Sequence, residues 1–492
     1  MPESRNGSLR RATVHGLVWK FLERFSSQCI SLLVSMVLAR LLTPSEFGTV
    51  AITLVFLTLA DAFVTSGLGA PLIQRGRYDR VEFSTMFWAG LVLSLVLYAI
   101  LFLVAPLVGL LYGDDVLTDI LRVLGLRLPF SAMNSVQQAY VTQQMLFRKF
   151  FYATLAGTLA SAVLGIALAL SGLGVWALVA QNLAALLANM IVLHFIIPWR
   201  PEPLFDRSVF HLLFGYGWRF MATGVIGTLF DQLRSFIIGL CYSPADLAFF
   251  NRGESVPRMV AGNITASIES VMFAAFSHLH DDRDRLRRAV SQSMQLASYL
   301  VVPGLAILAG SATQVVELLL GGQWLPAVPY MQIVCLQQAL SILGALNLKS
   351  IQAAGRADIC LRLELYKKPF YFVIICFAAT ISPLAVVAGN AFYAFIALMF
   401  NAFPNRSLLG YGLLAQVRDI AGNFALGAFV FVIVLVAGDG VSGRGALFAL
   451  VVEVIAGLFA YLLLSLLTRN SSFFHMQQTL ARKIREKRRP QK

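Results

Sequence analysis

The sequence predicts an all-α polytopic membrane protein of about fourteen transmembrane helices, built as two six-helix lobes with two further helices appended. Three observations lead there: composition, the spacing of apolar runs, and the sidedness of basic loops. Of 492 residues 58% are hydrophobic and only 13% are charged, with a mean hydropathy of +0.74. Soluble domains carry roughly 25% charged residues, so no large soluble domain is expected. The net charge of +14 would raise nucleic acid as a partner in a soluble chain. Here it reads as a topology signal, and no nucleic-acid partner is expected.

Apolar runs of membrane-spanning length place helices near 17–42, 48–69, 84–111, 117–143, 150–171, 174–197, 212–240, 247–277, 291–320, 327–353, 359–382, 384–403, 417–437 and 445–468. The loops test this series independently. Basic residues gather at the N-terminus (Arg5, Arg10, Arg11) and after every second helix: Arg75, Arg77 and Arg80; Arg148 and Lys149; Arg200 and Arg207; Arg283, Arg285, Arg287 and Arg288; Arg356, Arg362, Lys367 and Lys368; Arg406 and Arg418. The intervening loops hold no Lys or Arg except Arg444. A multi-pass membrane protein with both termini cytoplasmic follows. The eighth helix carries Asn251, Arg252, Glu254 and Pro257 and is weakly apolar. It is required all the same, because an even number of crossings must separate the basic loops at 200–207 and 281–288.

An internal repeat sets the domain plan. LARLLTPSEFG (Leu38–Gly48) is echoed by IIGLCYSPADL (Ile237–Leu247), and LLYG (Leu110–Gly113) by LLLG (Leu318–Gly321). Six helices separate equivalent points, so the repeats share one orientation. The expected divisions are a cytoplasmic N-terminus (1–15), an N-terminal lobe (16–199), a cytoplasmic linker (200–211), a C-terminal lobe (212–404), two further helices (405–468) and a basic tail (469–492). The tail holds eight Lys or Arg and one Glu, a pattern attracted to anionic lipid at the inner leaflet.

The functional signal is charge inside the membrane. The hairpin from Gly215 to Arg258 carries Arg219, Asp231, Arg234, Arg252, Glu254 and Arg258. One charge at a bilayer centre costs roughly 2.5–3.5 kcal/mol, so these side chains are expected to line a polar cavity. At about 100° per residue Asp231 and Arg234 share a face, with Arg219 about 60° away. Glu254 and Arg258 form an i,i+4 pair, Glu269 falls near their face, and Arg252 points elsewhere. The first helix carries a matching stripe of Lys20, Arg24, Ser27, Ser31 and Ser35, with Glu23 and Gln28 close by, and Asp61 on the second helix extends it. Ion pairs and serine contacts that fix helix packing are the competing explanation. Arginines outnumber carboxylates, however, which favours a cavity for an anionic cargo. Arg122 and Arg127 fit packing or snorkelling as well as cargo contact.

Other chemistry is not indicated. Cys29, Cys241, Cys335, Cys360 and Cys376 are widely spaced and read as small core residues, not as disulfides or a zinc site. No GxxxxGK[ST], GxSxG or HExxH stretch occurs. HLHDDRDRLRR (His278–Arg288) reads as a solvated cytoplasmic loop, not a metal cluster.

The stretches ARLLTPSEFG (Ala39–Gly48), GYGW (Gly215–Trp218), FFNRGESVP (Phe249–Pro257), GGQWLPAVP (Gly321–Pro329) and AGRAD (Ala354–Asp358) resemble the Wzx-type polysaccharide flippases of the exopolysaccharide and colanic acid kind. These form part of the polysaccharide-transporter branch of the multidrug/oligosaccharidyl-lipid/polysaccharide (MOP, MATE-like) exporter superfamily. The resemblance covers roughly residues 15–410. It implies a protein of the bacterial inner membrane with a lipid-flippase-like fold of two lobes, alternately open to cytoplasm and periplasm. It implies translocation of undecaprenyl-pyrophosphate-linked oligosaccharide repeat units for exopolysaccharide or lipopolysaccharide biosynthesis, with the polymerase and export machinery of the same pathway as partners. The last two helices would form a groove for the lipid tail. The cavity residues are then Arg24, Arg219, Arg234, Arg258, Ser27 and Ser31, with Asp61, Asp231 and Glu269 assigned to ion coupling or charge tuning. No cofactor or metal is expected; proton coupling, sodium coupling and uncoupled transport all stay open. The alternative is a MATE-like small-molecule or multidrug exporter, against which the arginine-rich face argues because such pumps usually take cations. A membrane enzyme would need a larger periplasmic loop than the four to eight residues present, and a scaffold gives no reason for buried arginines.

Overall fold

The structure of the chain, a computed structural model, describes residues 3–75, 78–277, 282–441, 443–470 and 472–473. Among them there is no strand. The chain divides into two compact units, Met1–Ala248 and Phe249–Lys492.

The first unit holds α1 (Glu3–Leu41), α2 (Pro44–Gln74), α3 (Arg80–Tyr112), α4 (Asp115–Gly125), α5 (Arg127–Gln143), α6 (Phe147–Leu170), α7 (Val175–Ile196) and α8 (Arg207–Cys241). Polar residues at the turns start these helices. Thr43 and Glu46 form a reciprocal capping box at α2: Glu46 N donates to Thr43 Oγ1 (3.4 Å) while Thr43 N donates to Glu46 Oε2 (2.7 Å). Asp79, Asp114 and Asp206 cap α3, α4 and α8 by accepting from backbone N–H groups of the first turn. The core of the unit is aromatic at one end, where Phe83, Phe87, Tyr140 and Trp199 pack with Met86, Val136 and Leu193. Helix α8 lies along α2. The second glycine of GYGW explains the close approach, since a Cβ at Gly217 would stand 2.4 Å from the Gly67 carbonyl oxygen.

The second unit holds most of α9 (Pro244–Ser277), then α10 (Arg283–Gly310), α11 (Ala312–Leu319), a 3-10 turn over Gly322–Ala327, α12 (Val328–Ala353), α13 (Ala357–Ala378), α14 (Pro383–Leu409), α15 (Leu413–Gly440) and α16 (Ala446–Leu467). Trp324, wholly buried in the 3-10 turn, packs edge-on to Phe249 at 6.0 Å. A Cβ at Gly253 would meet the Ala327 carbonyl oxygen and Tyr330 Cβ at 2.8 Å. FFNRGESVP and GGQWLPAVP are therefore two sides of one packed contact.

Eleven helices among the described residues are long and apolar enough to cross a membrane, and the chain is a multi-pass membrane protein. Helices α9 and α13 are not among these eleven, α13 carrying Arg362, Glu364, Lys367 and Lys368, and the expected helix over 117–143 is broken at Leu126 into α4 and α5. The expected helix over 291–320 likewise divides at Ser311 and begins eight residues earlier, at Arg283. Residues 283–288, read as loop, are thus the first turns of α10, capped by Asp282 accepting from Arg285 N. His278, His280 and Asp281 lie outside the described residues, as does the basic tail beyond Phe473. The cysteines are less uniform than expected: Cys335 is buried, Cys360 and Cys376 are half-buried, and Cys29 and Cys241 are exposed.

Candidate functional site

Within the first unit the charged stripe of α1 splits between two surroundings. Its Lys20 and Glu23 turn toward α6, the ammonium 6.0 Å from the Phe147 ring and Glu23 beside Thr154. Arg24 and Ser31 are exposed, and the buried Ser27 Oγ has no hydrogen-bond partner among the described residues. On α8 Arg234 is buried, at 6% exposure, whereas Asp231 and Arg219 are exposed. The Arg219 guanidinium stands 5.9 Å from the Trp218 ring. A guanidinium buried in a helix that lies along an apolar neighbour has to be met by polar groups or by a ligand.

Asp61 does not join this group by contact. Its Oδ2 is 4.0 Å from Arg127 Nη2, at the start of α5. The break at Leu126 is what presents Arg127 there, so this residue has a defined ion-pair role that spacing alone left open. Arg122 instead lays its guanidinium over Phe102, 4.5 Å from the ring centroid.

Within the second unit Glu254 and Arg258 pair as expected, Oε1 to Nη2 at 3.4 Å, with Glu254 buried and Arg258 58% exposed. Arg252 points away from them, 5.9 Å from the Trp324 ring. The Glu269 side chain lies outside the described residues.

The second unit also assembles polar groups that the sequence did not single out as sites. Lys367, expected in a basic loop, is buried on α13, where Nζ donates to Asn401 Oδ1 (2.9 Å) and Glu364 Oε1 (2.6 Å). Between α10 and α15 lies a cavity of about 750 Å³ lined by Arg287, Arg288, Ser291, Arg418 and Asp419 among others. Ser291 Oγ and the buried Tyr411 Oη both donate to Asp419 Oδ2, at 2.5 and 2.6 Å. The available signal was the recurrence of Asp284, Arg287, Arg288, Ser291 and Gln295 at helical spacing, which reads as a face only once 283–290 is known to be helix.

Residues 37–329 match the model of a family described as "Polysaccharide biosynthesis protein". The chain is 25% identical over 325 residues to the succinoglycan biosynthesis transport protein ExoT of Rhizobium meliloti, a match covering 65% of each chain. To the lipopolysaccharide biosynthesis protein WzxC of Escherichia coli it is 22% identical, over 74% of this chain and 75% of that one. To the teichuronic acid biosynthesis protein TuaB of Bacillus subtilis it is 22% identical, over 93% and 96%. Among solved structures, the lipid II flippase MurJ in an inward closed conformation superposes with a TM-score of 0.73 at 10% identity, over 92% of this chain and 99% of that one. An inward-facing MATE family multidrug transporter of the MOP superfamily superposes with a TM-score of 0.61 at 15% identity, over 78% and 95%. These likenesses establish a MurJ/MATE-like transporter fold.

Proposed function

Because the chain belongs to the family of polysaccharide biosynthesis proteins, we propose that it is a flippase that carries undecaprenyl-pyrophosphate-linked oligosaccharide repeat units from the inner to the outer leaflet of a bacterial inner membrane. The relatives' names supply the class of product: succinoglycan, lipopolysaccharide and teichuronic acid. In this proposal the full complement of spans is fourteen, α9, α13 and the α4–α5 pair crossing with the eleven apolar helices, and both termini are cytoplasmic. Two six-helix lobes open alternately to either side, and helices α15 and α16 flank the lipid tail.

The observation that carries the reading is Arg234, a guanidinium buried on α8. A pyrophosphate and its sugars are not solvated by acyl chains, so crossing requires a wet, cationic path. Planar guanidinium forks match phosphate oxygens two at a time. Arg24, Arg219, Arg234 and Arg258 are assigned to the pyrophosphate or an acidic sugar, and Ser27 and Ser31 to sugar hydroxyls. Of the carboxylates, Asp61 is assigned to charge tuning because it faces Arg127, which leaves Asp231 and Glu269 as the coupling candidates for a proton or sodium ion. The chain's own work is binding and orientation, and the polymerase and export machinery of the pathway act on what it delivers.

The test is the leaflet distribution of the lipid-linked oligosaccharide in cells depleted of this protein. The expected result is accumulation on the cytoplasmic side, corrected by the wild-type protein and poorly by Arg234→Ala at matched membrane abundance. Unchanged sidedness on depletion, with no redundant flippase present, overturns the assignment, and altered drug susceptibility in its place would identify a small-molecule exporter.

A further inference from the structure

None of the residues assigned to cargo lines the cavity between α10 and α15, and its lining combines two chemistries. Three guanidiniums, Arg287 and Arg288 from α10 and Arg418 from α15, face two carboxylates, Asp284 and Asp419. Asp419 is already engaged, since its Oδ2 accepts from Ser291 and from Tyr411. Among the described residues none of the three guanidiniums is in an ion pair. The Ser291 bond straps α10 to α15, and the Tyr411 bond holds α15 to the turn before it. Arg283 also ties the start of α10 to the end of α14 by donating to the Leu408 and Ser407 carbonyls at 2.6 and 2.5 Å. A rigid, net positive recess with spare guanidinium donors is suited to a phosphate.

The recess continues into apolar surface. It shares Leu414 and Ala415 with a second cavity of about 800 Å³, whose further lining includes Tyr366, Met399, Phe400 and Phe403. Leu414 and Phe403 are 87% and 76% exposed. Both cavities lie at the ends of helices that carry the basic loops, the side assigned above to the cytoplasmic leaflet. A soluble phosphate has no use for the apolar half, and an apolar ligand has none for the guanidiniums. An amphiphile uses both.

We propose that α10, α13, α14 and α15 form a binding site for an anionic glycerophospholipid of the inner leaflet, with its phosphate against Arg287, Arg288 and Arg418 and an acyl chain along Phe403 and Leu414. Occupancy adds a cationic-to-phosphate contact across the α10–α15 joint, so the bound lipid holds the appended helices to the rest of the second unit. This is a site for a resident lipid and is independent of the cargo assignment.

The experiment uses the full chain, purified in detergent and delipidated, with binding followed by native mass spectrometry and by the thermal midpoint. The probes are phosphatidylglycerol, phosphatidylcholine of the same acyl composition, glycerol 3-phosphate and undecaprenyl pyrophosphate. In the wild-type protein phosphatidylglycerol is expected to bind at least about tenfold more tightly than phosphatidylcholine and to raise the midpoint, and glycerol 3-phosphate to bind far more weakly than either lipid. The Arg287→Gln/Arg418→Gln double variant is expected to lose that preference while binding phosphatidylcholine as the wild type does, which also shows that it is folded. Equal binding of the two phospholipids by the wild-type protein overturns the proposal without reference to any variant. So does a preference that survives in the double variant, glycerol 3-phosphate binding as tightly as phosphatidylglycerol, or undecaprenyl pyrophosphate displacing the phospholipid through the same arginines, which would make this part of the cargo path.

Discussion

Asn347 and Gln416 exchange hydrogen bonds across the α12–α15 contact: Asn347 Nδ2 donates to Gln416 Oε1 at 2.9 Å, and Gln416 Nε2 donates to Asn347 Oδ1 at 2.8 Å. Both are buried, and Asn405 of α14 adds a third amide by donating to Asn347 Oδ1 at 2.7 Å. Replacing Asn347 by Leu removes the donor to Gln416 Oε1 and the side-chain acceptor shared by Gln416 and Asn405, which keep their bonds to the Tyr411 carbonyl and the Asn347 backbone carbonyl. Interhelical hydrogen bonds of membrane proteins contribute about 0.6 kcal/mol on average and about 1.7 kcal/mol at most. The expected loss for Asn347→Leu or Gln416→Leu is in that range, and the double variant should lose less than the sum of the singles. Thermal unfolding of the purified chain measures this; strictly additive losses would show that the pair is not coupled.

Gly253 is expected to tolerate no side chain. Its Cβ would press on the Ala327 carbonyl and the Tyr330 Cβ, neither of which is the far end of a flexible group. Overpacking of this kind costs roughly 1–3 kcal/mol. Gly253→Ala should lower the thermal midpoint, and Gly253→Val should reduce membrane abundance as well. A Gly253→Val protein of wild-type abundance and midpoint would show that α9 can slide on the 3-10 turn.

The Arg356–Asp358 pair predicts a pH dependence of defined sign. Arg356 donates from Nε and Nη2 to the two carboxylate oxygens at 2.9 and 3.0 Å. Those hydrogen bonds hold the Asp358 carboxyl below its ordinary value. A carboxyl lowered in the folded state contributes stability that is complete above its unfolded pKa and is lost as pH falls through the folded one. Both side chains are exposed to solvent, at 49% and 45%, so the effect is small. The difference in thermal midpoint between wild type and Asp358→Asn should be flat from about pH 6 to 9 and shrink below about pH 4. A difference that grows toward alkaline pH contradicts the assignment.

What was legible in the sequence was whatever depends on one segment. The capping box of Thr43 and Glu46 has its echo in Ser243 and Asp246, where Ser243 N donates to Asp246 Oδ2 at 3.2 Å and Asp246 N returns a bond to Ser243 Oγ at 3.2 Å. The two turns, about 200 residues apart, thus share one capping geometry. The pairing of Glu254 with Arg258 is likewise fixed by i,i+4 spacing. What was not legible depends on a distant partner. Lys367 reads as a loop cation until Asn401 of α14 is placed beside it, and Arg287 and Arg418 read as topology signals until Ser291 and Asp419 tie their helices together. The break at Leu126 leaves no apolar gap, so hydropathy passes over it, yet it decides which group Asp61 meets.

Asp61 offers the sharpest separation of packing from transport. It is 20% exposed and 4.0 Å from Arg127, and its Oδ1 is buried without a hydrogen-bond partner among the described residues. Removing one charge of such a pair leaves the other uncompensated, whereas removing both takes away the attraction and the desolvation together. Asp61→Asn is therefore expected to lower both abundance and flux, and Asp61→Asn/Arg127→Gln to restore abundance. If Asp61 only balances Arg127, flux in the double variant returns with abundance and keeps its response to the proton or sodium gradient. Were Asp61 itself the ion carrier, the double variant would be abundant, would bind the lipid-linked oligosaccharide and would show no gradient dependence. The ion pair in the structure favours the first outcome, and flux measured in vesicles with the gradient imposed and then collapsed distinguishes the two.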